Sequence, residues 1–264
     1  MKEAPLNDVL FGINAVESRL RVGKQGVKSL LVREGQMSRR IETLVELAEA
    51  AAIPVERVTD RLLSEMTSIS HQGVALNVVP LQMLGEKALD TILERHSNHL
   101  LLLILDGVTD PRNFGACLRS AATLGVHGVI VPKDNSAPLT AAAAKTASGG
   151  ASIVPVVQVV NLARCIEQLK QRGIWIVGTL LEAEKALDQV DLTGNVAIVM
   201  GSEERGMRDR TKKSCDYLVN IPMPFASLGF NVSVATGICL YEATRQRQSR
   251  QMPGTAASLS AVEK

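Results

Sequence analysis

The 264-residue sequence predicts an α/β protein with a small N-terminal domain (residues 1–80) and a larger C-terminal domain (residues 99–250). In both parts, short apolar segments of strand composition alternate with segments of helical spacing, a pattern typical of sheets covered by helices. A polar stretch, residues 81–98, separates the two parts. Aromatic residues make up only 3% of a sequence that is 46% hydrophobic, which predicts cores of aliphatic side chains.

The elements predicted for the small domain alternate along the chain. The predicted strands and helices, in order, are a helix at 14–22, a strand at 27–32, a helix at 38–52, a strand at 54–58, a helix at 61–66 and a strand at 74–79. In the helix at 38–52, Ile41, Leu44 and Ala48 share one face, and Ser38 is the predicted N-cap. The polar residues 67–73 form the loop before the last strand, where a lone histidine is more often a surface residue than a functional one.

The larger domain repeats the alternation with more apolar strands. Residues 81–98 predict a connecting helix, and residues 251–264 predict a disordered tail. The predicted strands are 100–105, 128–131, 174–178, 196–200 and 218–221, and the predicted helices are 115–124, 161–171 and 232–247. Continuously apolar strands alternating with helices favour a parallel sheet covered on both faces.

Composition excludes several classes of protein. The longest apolar run, residues 100–105, is too short to span a bilayer, and the first eight residues lack the apolar core of a signal peptide. Four cysteines without C-x-x-C spacing indicate free thiols and no metal site. These features predict a cytoplasmic protein. A net charge of +2 says little about partners, so any nucleic-acid surface would be a local patch.

The segment Asn231-Val-Ser-Val-Ala-Thr-Gly237 follows a short strand that ends at Pro222. Helical spacing begins here, and Asn231 or Ser233 can cap the first turn. The start of a helix presents unpaired backbone N–H groups, which suit a polar or anionic ligand group. The same pattern also fits a buried, capped helix with no ligand.

Two other motifs lie at equivalent places in the predicted sheet. One is residues 106–120, Asp-Gly-Val-Thr-Asp-Pro-Arg-Asn-Phe-Gly-Ala-Cys-Leu-Arg-Ser, and the other is residues 200–208, Met-Gly-Ser-Glu-Glu-Arg-Gly-Met-Arg. All three motifs directly follow a strand, and ligands of open α/β sheets bind beyond the carboxyl ends of the strands. The dinucleotide fingerprint G-x-G-x-x-G and the P-loop are absent, so neither a Rossmann cofactor nor a nucleoside triphosphate is favoured.

In order and spacing, the three motifs resemble the signature of the SpoU (TrmH-type) family of SPOUT RNA methyltransferases. The resemblance implies a C-terminal methyltransferase domain with a parallel sheet tied in a trefoil knot, S-adenosyl-L-methionine as cofactor, and a homodimer. Phe11-Gly12 and His71-Gln72-Gly73-Val74 resemble marks of the N-terminal substrate-binding domain of that family. That domain has a fold like ribosomal protein L30e, which implies that residues 1–80 bind RNA.

The resemblance also implies which residues form the site. The catalytic candidates are Asn113, Arg119, Glu203, Asn231 and Ser233. The cofactor-binding candidates, which would act mostly through the backbone, are Thr179, Leu180, Gly201, Ile221, Met223 and Phe230. From spacing alone, other roles are equally possible. Asn113 and Asn231 could be helix caps, and Arg119 could be a solvated cation. Glu203 could be an acid that interacts with a helix dipole. A guanidinium stays protonated in proteins, so Arg119 is interpreted as a cation that stabilises an alkoxide and not as a base.

The reaction implied by the resemblance is 2′-O-methylation of a guanosine ribose in 23S rRNA. A tRNA ribose methyltransferase is an alternative, although the shorter tRNA enzymes of the family lack the N-terminal domain. A weakly catalytic, RNA-binding ribosome-assembly factor is a second alternative. It is kept open by Glu204 and Gly229, which differ from the usual family pattern. The departures at Glu204, Phe225 and Gly229-Phe230 together affect the adenine pocket and its loop.

Overall fold

The computed structural model describes residues 9–21, 24, 26–67, 70–79, 82–225 and 228–251. The strands in these residues are β1 (Val9–Phe11), β2 (Val27–Arg33), β3 (Val55–Val58), β4 (Val74–Val78), β5 (Leu101–Asp106), β6 (Gly128–Pro132), β7 (Val156–Val159), β8 (Trp175–Thr179), β9 (Lys185–Ala186), β10 (Val196–Gly201) and β11 (Tyr217–Asn220). The α-helices are α1 (Ile13–Arg21), α2 (Arg39–Ala50), α3 (Asp60–Met66), α4 (Lys87–Arg95), α5 (Pro111–Thr123), α6 (Ala141–Ala147), α7 (Leu162–Gln171), α8 (Asp209–Ser214) and α9 (Val232–Gln251).

The N-terminal sheet has four strands in the order β1-β4-β2-β3. Strand β4 runs antiparallel to both of its neighbours, and β2 and β3 are parallel. Its main core packs apolar residues of β2 and β4 against α1 and α2, with Val16, Leu30 and Leu44 almost fully buried. This small sheet therefore has a hydrophobic core of its own.

The C-terminal sheet is fully parallel, with seven strands in the order β7-β6-β5-β10-β8-β11-β9. One face packs against α5, α6 and α9, and the other packs against α4 and α7. The interior strand β5 is buried at every position because both faces of the sheet are covered. The predicted α/β class with a parallel sheet is confirmed, and the trefoil knot stays a prediction.

The connecting segment is attached to the larger sheet. Leu84 forms a parallel bridge with Val157 of the edge strand β7, with backbone hydrogen bonds of 2.7 and 2.8 Å. The side chain of Glu86 pairs with Arg164 of α7 at 3.2 Å, and that of Asp90 pairs with Arg172, the C-cap residue of α7, at 2.6 Å. The predicted connecting helix is present as α4, and it also packs as part of the layer that covers the sheet.

Several predicted details differ from the structure. Ser38 is the N-cap residue of α2, as predicted, but its side chain makes no capping hydrogen bond. Helix α5 begins at Pro111 and not near 115, because the Asp110 side chain accepts hydrogen bonds from the N–H groups of Arg112 and Asn113, both at 2.8 Å. Asn113 therefore lies in the first turn of a helix and not on a loop. Strands β1, β7 and β9 and helices α6 and α8 were not predicted; each is short and gives little periodicity to read.

Some predictions concern residues outside the described ranges. These are the N-terminal residues 1–8, part of the loop at 67–73, the strand end at Pro80, and all of the predicted tail except Gln251. None of the helices in the described ranges is both long and apolar enough to cross a bilayer. Within the same ranges, His, Cys, Asp and Glu side chains form no cluster that could hold a metal ion.

Candidate active site

A cavity opens at the carboxyl ends of β8, β10 and β11, with a volume of about 680 Å³. The segments that follow these strands form its wall, together with the first turn of α9. The residues that line it are Thr179, Leu180, Leu181, Glu182, Met200, Gly201, Ser202, Glu203, Glu204, Arg205, Gly206, Val219, Asn220, Ile221, Met223, Leu228, Gly229, Phe230, Asn231, Val232 and Ala235. All six residues predicted to bind the cofactor are among them, and their role in binding stays a prediction.

The second motif contributes a tight loop to this wall. The backbones of Ser202 and Gly206 exchange two hydrogen bonds of 3.0 and 2.9 Å, which closes the loop and places Glu203, Glu204 and Arg205 at its tip. A Cβ atom on Gly201 would lie 2.3 Å from the backbone of Gly206, so only glycine fits at that position. The close approach holds the loop against the end of β10.

An ion pair secures the base of the same loop. Asp106, the last residue of β5, is fully buried and accepts hydrogen bonds from Arg208 Nε at 2.6 Å and Arg208 N at 2.9 Å. This pair joins the first motif to the second. Neither residue is among the predicted site residues, although an acid that ends a continuously apolar strand indicates a buried partner.

Glu203 joins all three motifs through hydrogen bonds. Its Oε2 accepts from Asn113 Nδ2 at 2.9 Å, and its Oε1 accepts from Asn231 Nδ2 and from the backbone N–H of Val232 at 3.2 Å. Asn231 Nδ2 also donates to Asn113 Oδ1 at 3.1 Å. The first turn of α9 is therefore held by a carboxylate 29 residues earlier in the chain, as the positive end of a helix dipole favours.

Asn231 is also the N-cap of α9, one of the two caps that the sequence allows. Its Oδ1 accepts from the backbone N–H of Ser233 at 2.9 Å and from Ser233 Oγ at 2.6 Å. The structure thus brings together four of the five catalytic candidates in one hydrogen-bonded network, Asn113, Glu203, Asn231 and Ser233. We call these four residues the polar network.

Arg119 lies apart from the polar network. It stands six residues after Asn113 on α5, which corresponds to about 9 Å along the axis and about 120° around it. Its side chain is exposed, and its guanidinium forms no hydrogen bond or ion pair with any residue that the structure describes. No described residue therefore holds the Arg119 guanidinium in place, and a role in the reaction would require that bound RNA or a second chain positions it.

The cysteine beneath the network takes no part in its chemistry. Cys117 on α5 is buried and lies 3.4 Å from Thr236 Oγ1 of α9. Burial raises the pKa of the Cys117 thiol to about 11, so the residue stays protonated at neutral pH. The pair joins α5 to α9 directly below the site.

The two N-terminal motifs also meet. Gln72 Oε1 accepts from the N–H of Ile13 at the start of α1 at 2.9 Å, and the N–H of Gly12 donates to Val74 O at 3.3 Å. The ring of His71 accepts from the N–H of Gly73 at 3.0 Å. These contacts brace the start of α1, which gives His71-Gln72-Gly73 a structural role, and their contact with RNA stays a prediction.

Comparison with known proteins agrees with both parts of the chain. Residues 100–241 match the SpoU rRNA Methylase family, and residues 9–84 match the family described as RNA 2′-O ribose methyltransferase substrate binding. A relative from Pseudomonas syringae, named 23S rRNA (guanosine-2′-O-)-methyltransferase RlmB, is 48% identical over 92% of this chain and 98% of its own length.

Solved structures show the same fold. The SpoU methyltransferase AviRb from Streptomyces viridochromogenes matches with a TM-score of 0.71 and 25% identity, over 92% of this chain and 90% of AviRb. AviRb has also been solved in complex with the cofactor AdoMet, and that structure matches with a TM-score of 0.71 and 24% identity over 91% of this chain and 90% of AviRb. The matched family covers more than half of the chain and includes every residue of the polar network, and we conclude that this protein belongs to the SpoU rRNA Methylase family.

Proposed function

We propose that this protein transfers a methyl group from S-adenosyl-L-methionine to the 2′-hydroxyl of a guanosine ribose in 23S rRNA. The observation that carries the proposal is the polar network, which the three family motifs build at the rim of the cavity. The names of the most similar relatives supply the RNA and the nucleoside.

The cavity fits the cofactor in size and chemistry. Its volume of about 680 Å³ lies within the roughly 300–1,000 Å³ of small-molecule sites. Ile221, Met223 and Phe230 supply apolar surface for an adenine ring, and Glu182 and Glu204 supply negative charge near a sulfonium cation. When bound, the cofactor supplies an electrophilic methyl group.

The hydrogen-bonding capacity of the polar network suggests how it holds a ribose. Asn231 has no capacity left, since both its amide hydrogens and its carbonyl oxygen are used within the network. Asn113 Nδ2 donates to Glu203 and keeps a second N–H. Ser233 Oγ donates to Asn231 and keeps its acceptor lone pairs.

A ribose 2′-hydroxyl is both a donor and an acceptor, so one such group can bond to both of these free positions. Asn113 would donate to the hydroxyl oxygen, and Ser233 Oγ would accept its hydrogen. Positioning of this kind lowers the barrier because the hydroxyl is held in line before it reacts. Arg119 would supply a fixed cation for the adjacent phosphate and the developing alkoxide.

The domain division supports RNA as the substrate. We propose that residues 1–80 bind rRNA, that 81–98 connect the domains, and that 99–250 carry the cofactor and the reaction. The match of residues 9–84 to a substrate-binding family supports the first part. It also favours rRNA over tRNA as the substrate, because the shorter tRNA enzymes of the family are expected to lack this domain.

A homodimer in the cytoplasm completes the proposal. Val234 and Tyr241 on α9 are exposed apolar residues, and the half-buried Ile238 lies between them on the same face. Their spacing of four and three residues forms a continuous stripe along the helix. A second copy of the chain that packs on this stripe would bury it, and the exposed Arg119 lies on α5, the helix against which α9 packs.

The deciding experiment combines two measurements on the full chain. Calorimetry should show adenosylmethionine binding, and the purified protein should methylate 23S rRNA at one ribose. That nucleotide should resist alkaline cleavage, because its 2′-oxygen can no longer attack the phosphate. Methylation of tRNA in preference to rRNA, a methyl group on a base, or cofactor binding without turnover on any ribosomal RNA would contradict the proposal.

A further inference from the structure

An apolar rim lies at and beside the cavity. It consists of Leu181 after β8 and of Phe225, Leu228 and Phe230 between β11 and α9, all of them exposed. Phe225 is 72% exposed and Leu228 is 82% exposed. Apart from Leu228, only Val160 among the large hydrophobic side chains in the described ranges is as exposed as Phe225. Exposed apolar residues that cluster beside a cavity mark a surface that contacts a ligand.

Three of the rim residues, Phe225, Leu228 and Phe230, lie in the segment that leads to Asn231 of the polar network. The N–H of Leu228 donates to the carbonyl oxygen of Phe225 at 3.1 Å, which holds these two residues close together. Phe230 directly precedes Asn231, the N-cap of α9. Leu228 and Phe230 line the cavity, whereas Phe225 stands outside its wall. Phe225 is therefore placed beside the site but not in the cofactor cavity.

The chemistry of Phe225 fits a nucleobase. Phenylalanine is scarce in this chain, with four in 264 residues, and another of them, Phe114, is buried in the core. An exposed aromatic ring offers a π-face to any base, and Arg205 on the neighbouring loop offers a cation for the phosphate backbone. The base of the target nucleotide is joined directly to the ribose that the polar network would hold, and the rim lies in the segment that leads to Asn231 of that network.

We infer that Phe225, supported by Leu228, is the surface on which the base of the target nucleotide stacks when its ribose enters the site. This inference rests on the proposed function and adds a contact that sets affinity for the substrate. Loss of one base–aromatic stacking contact weakens binding by about 5- to 150-fold.

The test is a cycle of two changes, one in the protein and one in the RNA. The RNA is the 23S fragment that contains the methylated ribose, prepared with its guanine and with an abasic riboside at the same position. We expect Phe225→Ala to bind the intact RNA at least about 5-fold more weakly than the unaltered chain. On the abasic RNA the two proteins should bind equally, and Phe225→Tyr should bind the intact RNA nearly as well as the unaltered chain.

Trp175→Ala is the matched control, because Trp175 is a half-exposed aromatic residue at the opposite, amino end of β8. It should leave RNA affinity unchanged. Adenosylmethionine affinity and sedimentation of Phe225→Ala should equal those of the unaltered chain. A loss of cofactor affinity would show that Phe225 covers the cofactor, and a change in oligomeric state would show that a second copy covers it.

Either of those results overturns the inference, as does an equal loss of affinity on intact and abasic RNA. Unchanged affinity of Phe225→Ala for the intact RNA overturns the inference while leaving the proposed function in place. If the unaltered chain methylates no ribose in ribosomal RNA, the proposed function fails and the inference fails with it.

Discussion

Glu203 accepts hydrogen bonds from both asparagines of the polar network, which suggests a positioning role in the proposed reaction. Both of its oxygens are occupied, by the amides of Asn113 and Asn231 and by the backbone of Val232. A carboxylate that already accepts three hydrogen bonds has little capacity left for the proton of a substrate. In the proposed mechanism its contribution would be to orient Asn113, whose second N–H would bind the ribose. We therefore regard Glu203 as a positioning residue.

Glu203→Gln should reduce kcat/KM for methyl transfer by about 10- to 100-fold, because hydrogen bonds to a charged group contribute about 1.5–3 kcal/mol. The substitution replaces one acceptor oxygen by an amide nitrogen, which is a donor. This nitrogen would face the N–H donors of Asn113 or of Val232 and could not accept their hydrogen bonds. Steady-state kinetics measure the effect. Glu94→Gln, an exposed acid on α4, is the control and should keep full activity. Wild-type kinetics for Glu203→Gln would show that the network does not position the substrate.

Substitutions of Arg119 test whether a cation stabilises the developing alkoxide, as proposed. Arg119→Ala should lower the rate of transfer by roughly 10²–10³, as removal of one electrostatic donor does, and should leave cofactor affinity unchanged. Arg119→Lys keeps the charge but loses the planar fork, so it should recover only part of the rate. Single-turnover methylation and calorimetry separate the two effects. A wild-type rate for Arg119→Ala would remove this residue from the mechanism.

The loop of the second motif depends on contacts that reach it from another strand. Strand β5 ends in Asp106, whose carboxylate binds the backbone and the guanidinium of Arg208. Since Asp106 is fully buried, a neutral or truncated side chain there leaves polar groups without partners. The position of Glu203 in the site follows from the loop that this pair secures.

Asp106→Asn should lower the free energy of unfolding by about 1–3 kcal/mol, as measured by urea denaturation. The loss stays moderate because the side chain of Arg208 is half exposed and its charge is screened by solvent. Asp90→Asn makes the same chemical change in an exposed pair with Arg172 and should cost less than about 1 kcal/mol. Equal losses for the two variants would show that burial of Asp106 adds nothing.

The ease of prediction also differed between elements. The possible cap at Asn231 could be predicted, because asparagine before helical spacing is a local signal. Asp110-Pro111 is an equally local signal for the start of α5, although the predicted helix begins only at residue 115. The absence of a capping bond at Ser38 could not be predicted, since it depends on side-chain orientation.

The parallel sheet makes the position of the whole site predictable. Continuous apolar strands indicate a sheet buried on both faces, and motifs that follow such strands must meet at one edge. The details of the contacts could not be predicted in this way. Asn113 and Glu203 are 90 residues apart, and Asp106 and Arg208 are 102 apart, so no local pattern pairs them. Strand order alone determines that β5 and β10 are neighbours.

The opposite edge of the same sheet contains a histidine whose charge affects stability. His127 precedes β6, and its Nδ1 accepts a hydrogen bond from the N–H of Leu101 at 3.0 Å, which requires that nitrogen to be unprotonated. The ring of His96 lies 4.2 Å away. Burial, followed by the charges of His96 and Arg247, lowers the pKa of His127 below its ordinary value of 6.5. The folded protein therefore holds His127 in its neutral form.

The consequence for stability has a definite sign. Below pH 6.5 the unfolded chain binds a proton at His127 more readily than the folded chain does, so acid favours unfolding. The contribution of His127 to the free energy of unfolding is complete above pH 6.5. It is lost as the pH falls through the lowered pKa of His127 in the folded state. The pKa values of Asp191 and Glu242 are also lowered, from ordinary values of 3.8 and 4.5. These two carboxylates therefore affect stability at a lower pH than His127 does.

Replacement of His127 by glutamine removes the titrating group and keeps a side chain that can accept the hydrogen bond from Leu101. Urea denaturation between pH 5 and pH 8 should therefore show a smaller acid loss of stability for His127→Gln than for the unaltered chain. His96→Gln should also reduce the loss, because it removes a neighbouring cation but leaves His127 buried. Histidine ring signals in NMR titrations should give His127 a pKa below 6.5. Identical pH profiles for His127→Gln and the unaltered chain would show that His127 does not control acid stability.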